Sequence, residues 1–370
     1  PAAYGAAKLY SVIPSNGNGD FTHSRTGNAT RVNKGGFIET MGSNVPRLDY
    51  PLIDGVVQSC PALLLEPLRN NQHPYSEDFS GYAGANFNVV SNDAISPDGT
   101  QTADFVRENS GTNQKYFYKD SSITSGTEYT QSIFVKSNGT RYFQITGSTG
   151  FDTGMRVNFD LQEGVITLNV NANDASITKF PNDWYRLSVT DTATSTTTGR
   201  MVFAMIGTAD AARLESYSGV TTEGVYTWGA MLEAGEYPTS YIANLTTGST
   251  TRNTDVCNGA GTSAEFNDSE GVLFAELKGL NETDSSTGYI TLNDGSTTTN
   301  AIFIQYRNTG ELRLYNGGTS TPEMIYRDAN ADLTENIKLA IKYGISTSDY
   351  KVYINGFSES IEGGFSATSM

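Results

Sequence analysis

The feature that most constrains this chain is a period-two alternation of apolar and polar residues that recurs over most of its length. Met155, Val157, Phe159 and Leu161 alternate with Arg156, Asn158 and Asp160, and Val165 to Val170 returns as a partner across Glu163-Gly164. Tyr185, Leu187 and Val189 alternate with Arg186 and Ser188. The same pattern appears in Leu273, Ala275 and Leu277, in Ile302, Ile304 and Tyr306, and in Ile337, Leu339, Ile341 and Tyr343. Residues two apart share one face of a strand, so each segment reads as a half-buried strand, and none carries the period of a helix longer than two turns. Asn308-Thr309-Gly310 and Asn355-Gly356 supply turn chemistry, the second being the dipeptide best suited to a two-residue hairpin. Many short strands separated by turns predict an all-β chain of antiparallel, jelly-roll-like β-sandwiches.

Composition agrees. Charged residues make up only 17% of the chain, below the roughly 25% of ordinary soluble domains, and the polarity lies in Ser, Thr, Asn and 38 Gly. The 21 Tyr and 17 Phe suit the pleated surface of a sheet. A chain of 370 residues can bury two cores without disulfides. The pattern divides it into an arm over residues 1–66, a first sandwich over 67–246 and a second over 247–370. Gly17, Gly19, Gly27, Gly35 and Gly36 are scattered among short apolar pairs such as Phe37-Ile38, with no periodic run beyond four or five residues. Such a segment cannot bury a core of its own. It is expected to lie extended along another surface, where it would attach and oligomerise the protein; the rival view is that it folds back onto its own first sandwich as a cap. Cys60-Pro61 through Glu66-Pro67 reads as a short apolar strand closed by prolines, a hinge into the first sandwich.

The net charge of −16, with no basic stripe, excludes nucleic acid and anionic membrane surfaces as partners. No apolar run approaches the roughly 20 residues needed to span a bilayer. No signal peptide is legible at Pro1: export would use a dedicated secretion system or lysis, the alternative being that an initiator Met or a leader has been removed. Cys60 and Cys257 are expected to be two isolated buried thiols. His23 and His73 have no second His or Cys at metal-ligand spacing, and loop hydrogen bonding is their expected role. Neither a G-x-S-x-G elbow nor a phosphate-binding loop occurs, so no catalytic residue is assigned and the chain is read as a binding or scaffolding protein, not an enzyme. Trp184 and Trp228 sit among alternating core residues and are assigned to the core. Tyr82, Tyr116 and Tyr118 are the candidate exposed platform for a glycan. Asp93, Asp98 and Asp104 surround the Ser96-Pro97-Asp98-Gly99-Thr100 turn, and their hard oxygens suit a structural calcium, the one cofactor considered. An ordinary turn rich in Asp and Gly is the alternative.

An ordered set of residues carries a resemblance: Phe21-x-x-Ser24-Arg25, Ala29-Thr30-Arg31-Val32-Asn33, Ile38-Glu39, Asn44-x-Pro46-Arg47-x-Asp49-Tyr50, Cys60-Pro61 and Leu63-Leu64-Leu65-Glu66-Pro67. These resemble the N-terminal region of tailed-phage structural proteins of the tail- or head-fibre kind. Trp228-Gly229-Ala230-x-Leu232-Glu233 and Pro238-Thr239-Ser240-Tyr241-Ile242 resemble the last strand of the following sandwich, itself similar to carbohydrate-binding modules. Ile337 to Gly356 resembles the back strands of a laminin-G or concanavalin-like domain. Such domains usually carry a further closing strand, which the resemblance implies beyond Met370. Concanavalin-like hydrolases place their carboxylates as E-x-D-x-x-E; Glu282-Thr283-Asp284 begins that pattern, but Thr287 stands where the second Glu belongs.

The resemblance implies a fibre or appendage on the virion surface, docked to other virion proteins and adhering to the host through cell-surface polysaccharide. Fibres close around a symmetry axis, which makes a homotrimer the first expectation and a dimer the second. The competing readings are a secreted bacterial adhesin, and the accessory region of a polysaccharide-degrading enzyme.

Overall fold

A computed structural model describes residues 3–5, 8–10, 21–260, 270–279, 288–293, 301–307, 311–316, 324–327, 336–344 and 351–359. It is all-β and antiparallel throughout the described strands, with a single 3-10 turn at Pro181–Asp183 as their only helical element. Among the described residues no helix is long and apolar enough to cross a membrane. The chain divides into two compact units, His23–Val256 and a second made of Pro1–Thr22 with Cys257–Met370.

The core of His23–Val256 is a sandwich of two six-stranded sheets. The first runs Ala83–Ala85, Lys115–Tyr118, Met201–Ile206, Tyr142–Gly147, Arg156–Asp160, Val165–Val170 in spatial order. The second runs Phe87–Ala94, Ala103–Glu108, Gly224–Ala234, Glu128–Asn138, Tyr185–Thr192, Asp174–Lys179. Phe117, Phe143, Val157, Phe159 and Phe203 of the first sheet meet Val106, Ile133, Val135, Leu187 and Val225 of the second, all of them buried. The alternation read around Phe159 and Leu187 therefore points into the space between the sheets.

The second sheet has a third layer upon it, and here the expectation of an extended arm over residues 1–66 is corrected. Residues 23–66 fold back on their own sandwich. Ala29–Val32 pairs with Ile38–Met41, Arg47–Asp49 with Ala62–Leu64, and Leu52–Ile53 with Val56–Val57. Ile38, flanked by Val32 and Leu52, packs into a second core of Phe134, Phe180, Trp184, Trp228, Met231 and Tyr241. The physical reason lies in the central strands. Glu128–Asn138 and Gly224–Ala234 are buried on both faces over most of their length, so their outer face would expose large apolar groups unless something covered it. Trp184 and Trp228 are core residues as expected, but of this arm-covered core, not of the space between the sheets.

A β-bulge decides that placement. Between the pairs Ser132↔Met231 and Phe134↔Trp228 the ladder slips by one residue. Gly229 sits there at φ +64°, where a Cβ would come within 2.9 Å of the Phe134 ring. Strict alternation would put Trp228, Ala230 and Leu232 on one face. The extra residue turns Trp228 to the arm side, while Ala230 and Leu232 stay between the sheets.

The second unit repeats the architecture on a smaller scale. Gly271–Leu277, Ile337–Tyr343, Lys351–Ile354 and Phe357–Glu359 form one four-stranded sheet; Gly288–Asn293, Ala301–Arg307, Glu311–Asn316 and Met324–Arg327 form another. Ile302, Ile304 and Leu314 of the latter pack with Ile337, Leu339, Ile341, Val352 and Ile354 of the former. Asn355 and Gly356 adopt φ of 51° and 92° between the paired residues Ile354 and Phe357, as a two-residue hairpin requires. Asn308-Thr309-Gly310, Glu282-Thr283-Asp284 and Thr287 lie outside the described residues.

Candidate functional site

The residues that carried the resemblance converge on one buried ionic lattice. Arg47 donates to Glu66 at 2.6 Å, to the Thr30 carbonyl at 2.9 Å and to Ser240 Oγ at 2.8 Å, and it also meets Asp255. Arg25 donates to Asp255 Oδ1 at 2.8 Å and to the Gly42 carbonyl at 2.7 Å. Arg252 lies 2.8 Å from Glu66 and donates to the Pro67 carbonyl at 2.6 Å. Ser240 donates its N–H and its hydroxyl to Glu66 at 2.7 and 2.6 Å. His23 sits 3.3 Å from Asp255, and Thr239 caps Glu233 with its N–H and hydroxyl. All of these charged groups are buried. Burial by itself would raise the Glu66 carboxyl, but Arg252, Arg47 and the Ser240 bonds outweigh it and hold it below the usual range. Asp255 is likewise lowered, burial being outweighed by Arg47 and Arg25. Arg25, Arg47 and Arg252 pair with Glu66 or Asp255 from other segments, so the lattice fixes the arm in one register upon the sandwich.

The three candidate tyrosines separate. Tyr82 is buried, its ring 4.6 Å from Phe79 and its hydroxyl 3.0 Å from His73 Nε2, so it cannot serve as an exposed platform. Its N–H closes a turn onto the Phe79 carbonyl, and the ring joins the main core cluster beside Phe79 and Phe117. Tyr116 and Tyr118 share the outer face of the first sheet, because Phe117 between them points inward. Their rings are nearly parallel, 10° apart with centroids at 6.4 Å, and both are half-buried. Their cross-strand neighbours are Ala85, Ala204 and Ala83, and both rings pack against the cluster of Val202, Ala204, Ile206 and Leu214. Arg200 lies over the Tyr118 ring at 4.2 Å and pairs with Asp120 at 2.9 Å. Tyr142, which the sequence reading did not single out, packs against the same small cluster of Val202, Ala204, Ile206 and Leu214, with Arg141 over its ring at 5.1 Å. The signal was present: Tyr142, Gln144 and Thr146 alternate with the core residues Phe143 and Ile145.

The three aspartates do not come together as a metal site. Asp98 accepts Ser96 Oγ, the Thr100 N–H and Thr100 Oγ1, closing its own turn. Asp104 is buried and accepts the N–H groups of Phe79 and Asn92, while Asp93 is exposed. Among the described residues no group of three or more His, Cys, Asp or Glu is arranged to hold a metal ion. His73 is buried beside Tyr82 and Phe203; burial, with Lys119 nearby, pushes its pKa down to about 3. Cys60 is exposed and Cys257 half-buried, which corrects the expectation of two buried thiols. Cys60 lies in the bend between Val56–Val57 and Ala62–Leu64, outside both cores of its unit.

No family model matches this chain, and neither does any curated protein. Among solved structures, the tripod from the baseplate of bacteriophage Tuc2009 aligns over 75% of this chain and 97% of its own, at 14% identity and a TM-score of 0.18. A superposition at that score carries no argument about fold or role.

Proposed function

We propose that this chain is a non-catalytic structural component of a virion appendage whose first sandwich adheres to neutral polysaccharide on a cell surface. The observation that carries the adhesion reading is the pair of near-parallel tyrosines, Tyr116 and Tyr118, half-buried side by side on an outer sheet face. Aromatic faces bury well against the apolar face of a pyranose, and two rings at 6.4 Å offer a platform to successive parts of a sugar chain. The net charge of −16 disfavours polyanionic partners and leaves neutral glycans acceptable. The virion reading rests on the resemblance, whose marker residues Arg25, Arg47, Glu66, Glu233 and Ser240 all act in the lattice as scaffold. A homotrimer remains the proposed assembly.

The test joins two measurements. Affinity electrophoresis of the full chain in neutral polysaccharides is expected to show retardation, lost by about tenfold or more in the Tyr116→Ala, Tyr118→Ala double variant without a change in Tm. Antibody labelling of purified particles in electron micrographs is expected to decorate an appendage. Unlabelled particles alongside intact glycan binding would favour the secreted adhesin.

A further inference from the structure

The arm does more than cover the second sheet: it walls a cleft that neither layer has alone. The cleft measures about 320 Å³ and is lined from the arm by Thr30, Asn33, Ile38, Glu39 and Thr40, and from the sandwich side by Glu77, Asp98, Trp228, Tyr241 and Ala243. That volume lies at the lower end of the range for small-molecule sites, about 300–1,000 Å³, and suits one sugar ring better than an extended polymer. Its walls are fixed. The Ile38 N–H donates to the Pro97 carbonyl at 2.9 Å, Thr30 Oγ1 donates to the Tyr241 carbonyl at 2.6 Å, and the lattice around Arg47 anchors the strand behind.

Polar atoms are left for a ligand. Asp98 takes all three of its hydrogen bonds on Oδ1, leaving Oδ2 without a protein donor. Asn33 accepts the Gly35 and Phe37 N–H groups on its own Oδ1, leaving its NH₂ without an acceptor. Glu77 is held in the wall, accepting the Tyr241 hydroxyl at 2.7 Å and bonded also to Trp228. The lining contains no Lys or Arg. A ring that fills this space therefore meets an acceptor from the Asp98 carboxylate, a donor from the Asn33 amide, and apolar contact from Ile38 and Ala243. That set matches the hydroxyls of an uncharged sugar and opposes a carboxylate, sulfate or phosphate.

We infer that this cleft between arm and sandwich binds a single neutral sugar residue, as a site separate from the tyrosine face. The inference rests on the glycan-adhesion reading and extends it to a second point of contact. Two sites on one unit would engage one chain or two neighbouring chains, multiplying weak single-site affinities.

The experiment uses the full chain, neutral hexose oligosaccharides and a uronic-acid oligosaccharide as the charged control, read by calorimetry and by Tm. Thr40 is exposed at the rim, so Thr40→Trp blocks the cleft without entering a core. Asp98→Asn keeps an oxygen for the turn and removes the free acceptor. Both are expected to weaken neutral-sugar binding at least tenfold with Tm unchanged, and to leave the contribution of Tyr116 and Tyr118 intact. Binding unaffected by either variant but lost in the tyrosine double variant would overturn the cleft and keep the adhesion reading. Tighter binding of the uronic-acid probe would overturn the cleft's assignment to neutral sugars. Absence of binding by any oligosaccharide would overturn both readings together.

Discussion

Arg47 and Glu66 meet at 2.6 Å with neither side chain appreciably exposed, and through them the arm is locked to a strand end that lies far along the chain. Arg47 comes from the arm, Glu66 from its last residues, and the Ser240 and Asp255 that complete the contact follow the strand Gly224–Ala234. Replacing Arg47 by Ala removes the cation that bridges the two buried carboxylates, leaving Glu66 to Arg252 and Asp255 to Arg25 alone. That change is expected to cost about 3–5 kcal/mol, as loss of one partner from a buried pair does. Urea unfolding measures it; a loss below about 1 kcal/mol would mean that water reaches the lattice and screens it.

Acid should loosen the unit in two stages. The folded pKa of His73 is about 3, far below its unfolded value near 6.5, so the unfolded chain takes up a proton first. Stability is then complete above about pH 6.5 and falls as pH drops towards 3, by up to about 1.4 kcal/mol per unit. Glu66 and Asp255 are also depressed, so their contribution is present above about pH 4 and disappears only below it. Tm measured from pH 7 to 3 should decline first through the histidine stage. His73→Gln should flatten the curve between pH 6.5 and 4 while leaving the steeper acid limb; an unchanged slope there would remove His73 from the account.

Gly229 holds a left-handed conformation at the bulge, and an added methyl would press on Phe134 and Tyr241. Gly229→Ala is expected to destabilise by about 2 kcal/mol or more, from backbone strain together with the contact. A neutral effect in thermal melts would show that the bulge can slide and that Trp228 tolerates a change of face.

Removing residues 1–66 should not yield a soluble sandwich. The deletion uncovers Phe134, Trp184, Trp228 and Met231 on one sheet face and leaves Asp255 and Arg252 without their partners. Aggregation or loss of the folding transition is expected in light scattering and circular dichroism. A monodisperse, cooperatively melting remnant would return the segment to the role of a detachable arm.

How much of this was legible in the sequence depends on whether the signal was local. Alternation at Met155–Leu161, at Tyr185–Val189 and at Ile337–Tyr343 was decided by side-chain period alone, and the strands are where the period put them. Asn355-Gly356 determined its own turn, because positive φ is cheap at those two residues and costly at most others. Tertiary structure decided the rest. Trp228 was legible as buried, but the face on which it is buried depends on the Gly229 bulge, which breaks the period that would have located it. The arm had too few apolar residues to form a core, which the sequence did reveal; that its missing partner is the chain's own second sheet follows only from Phe134, Trp228 and Met231 facing away from the main core. Arg25, Arg47, Glu66 and Asp255 are single charges without local pattern. Arg25 and Asp255 are 230 residues apart, so only the folded chain could bring them together.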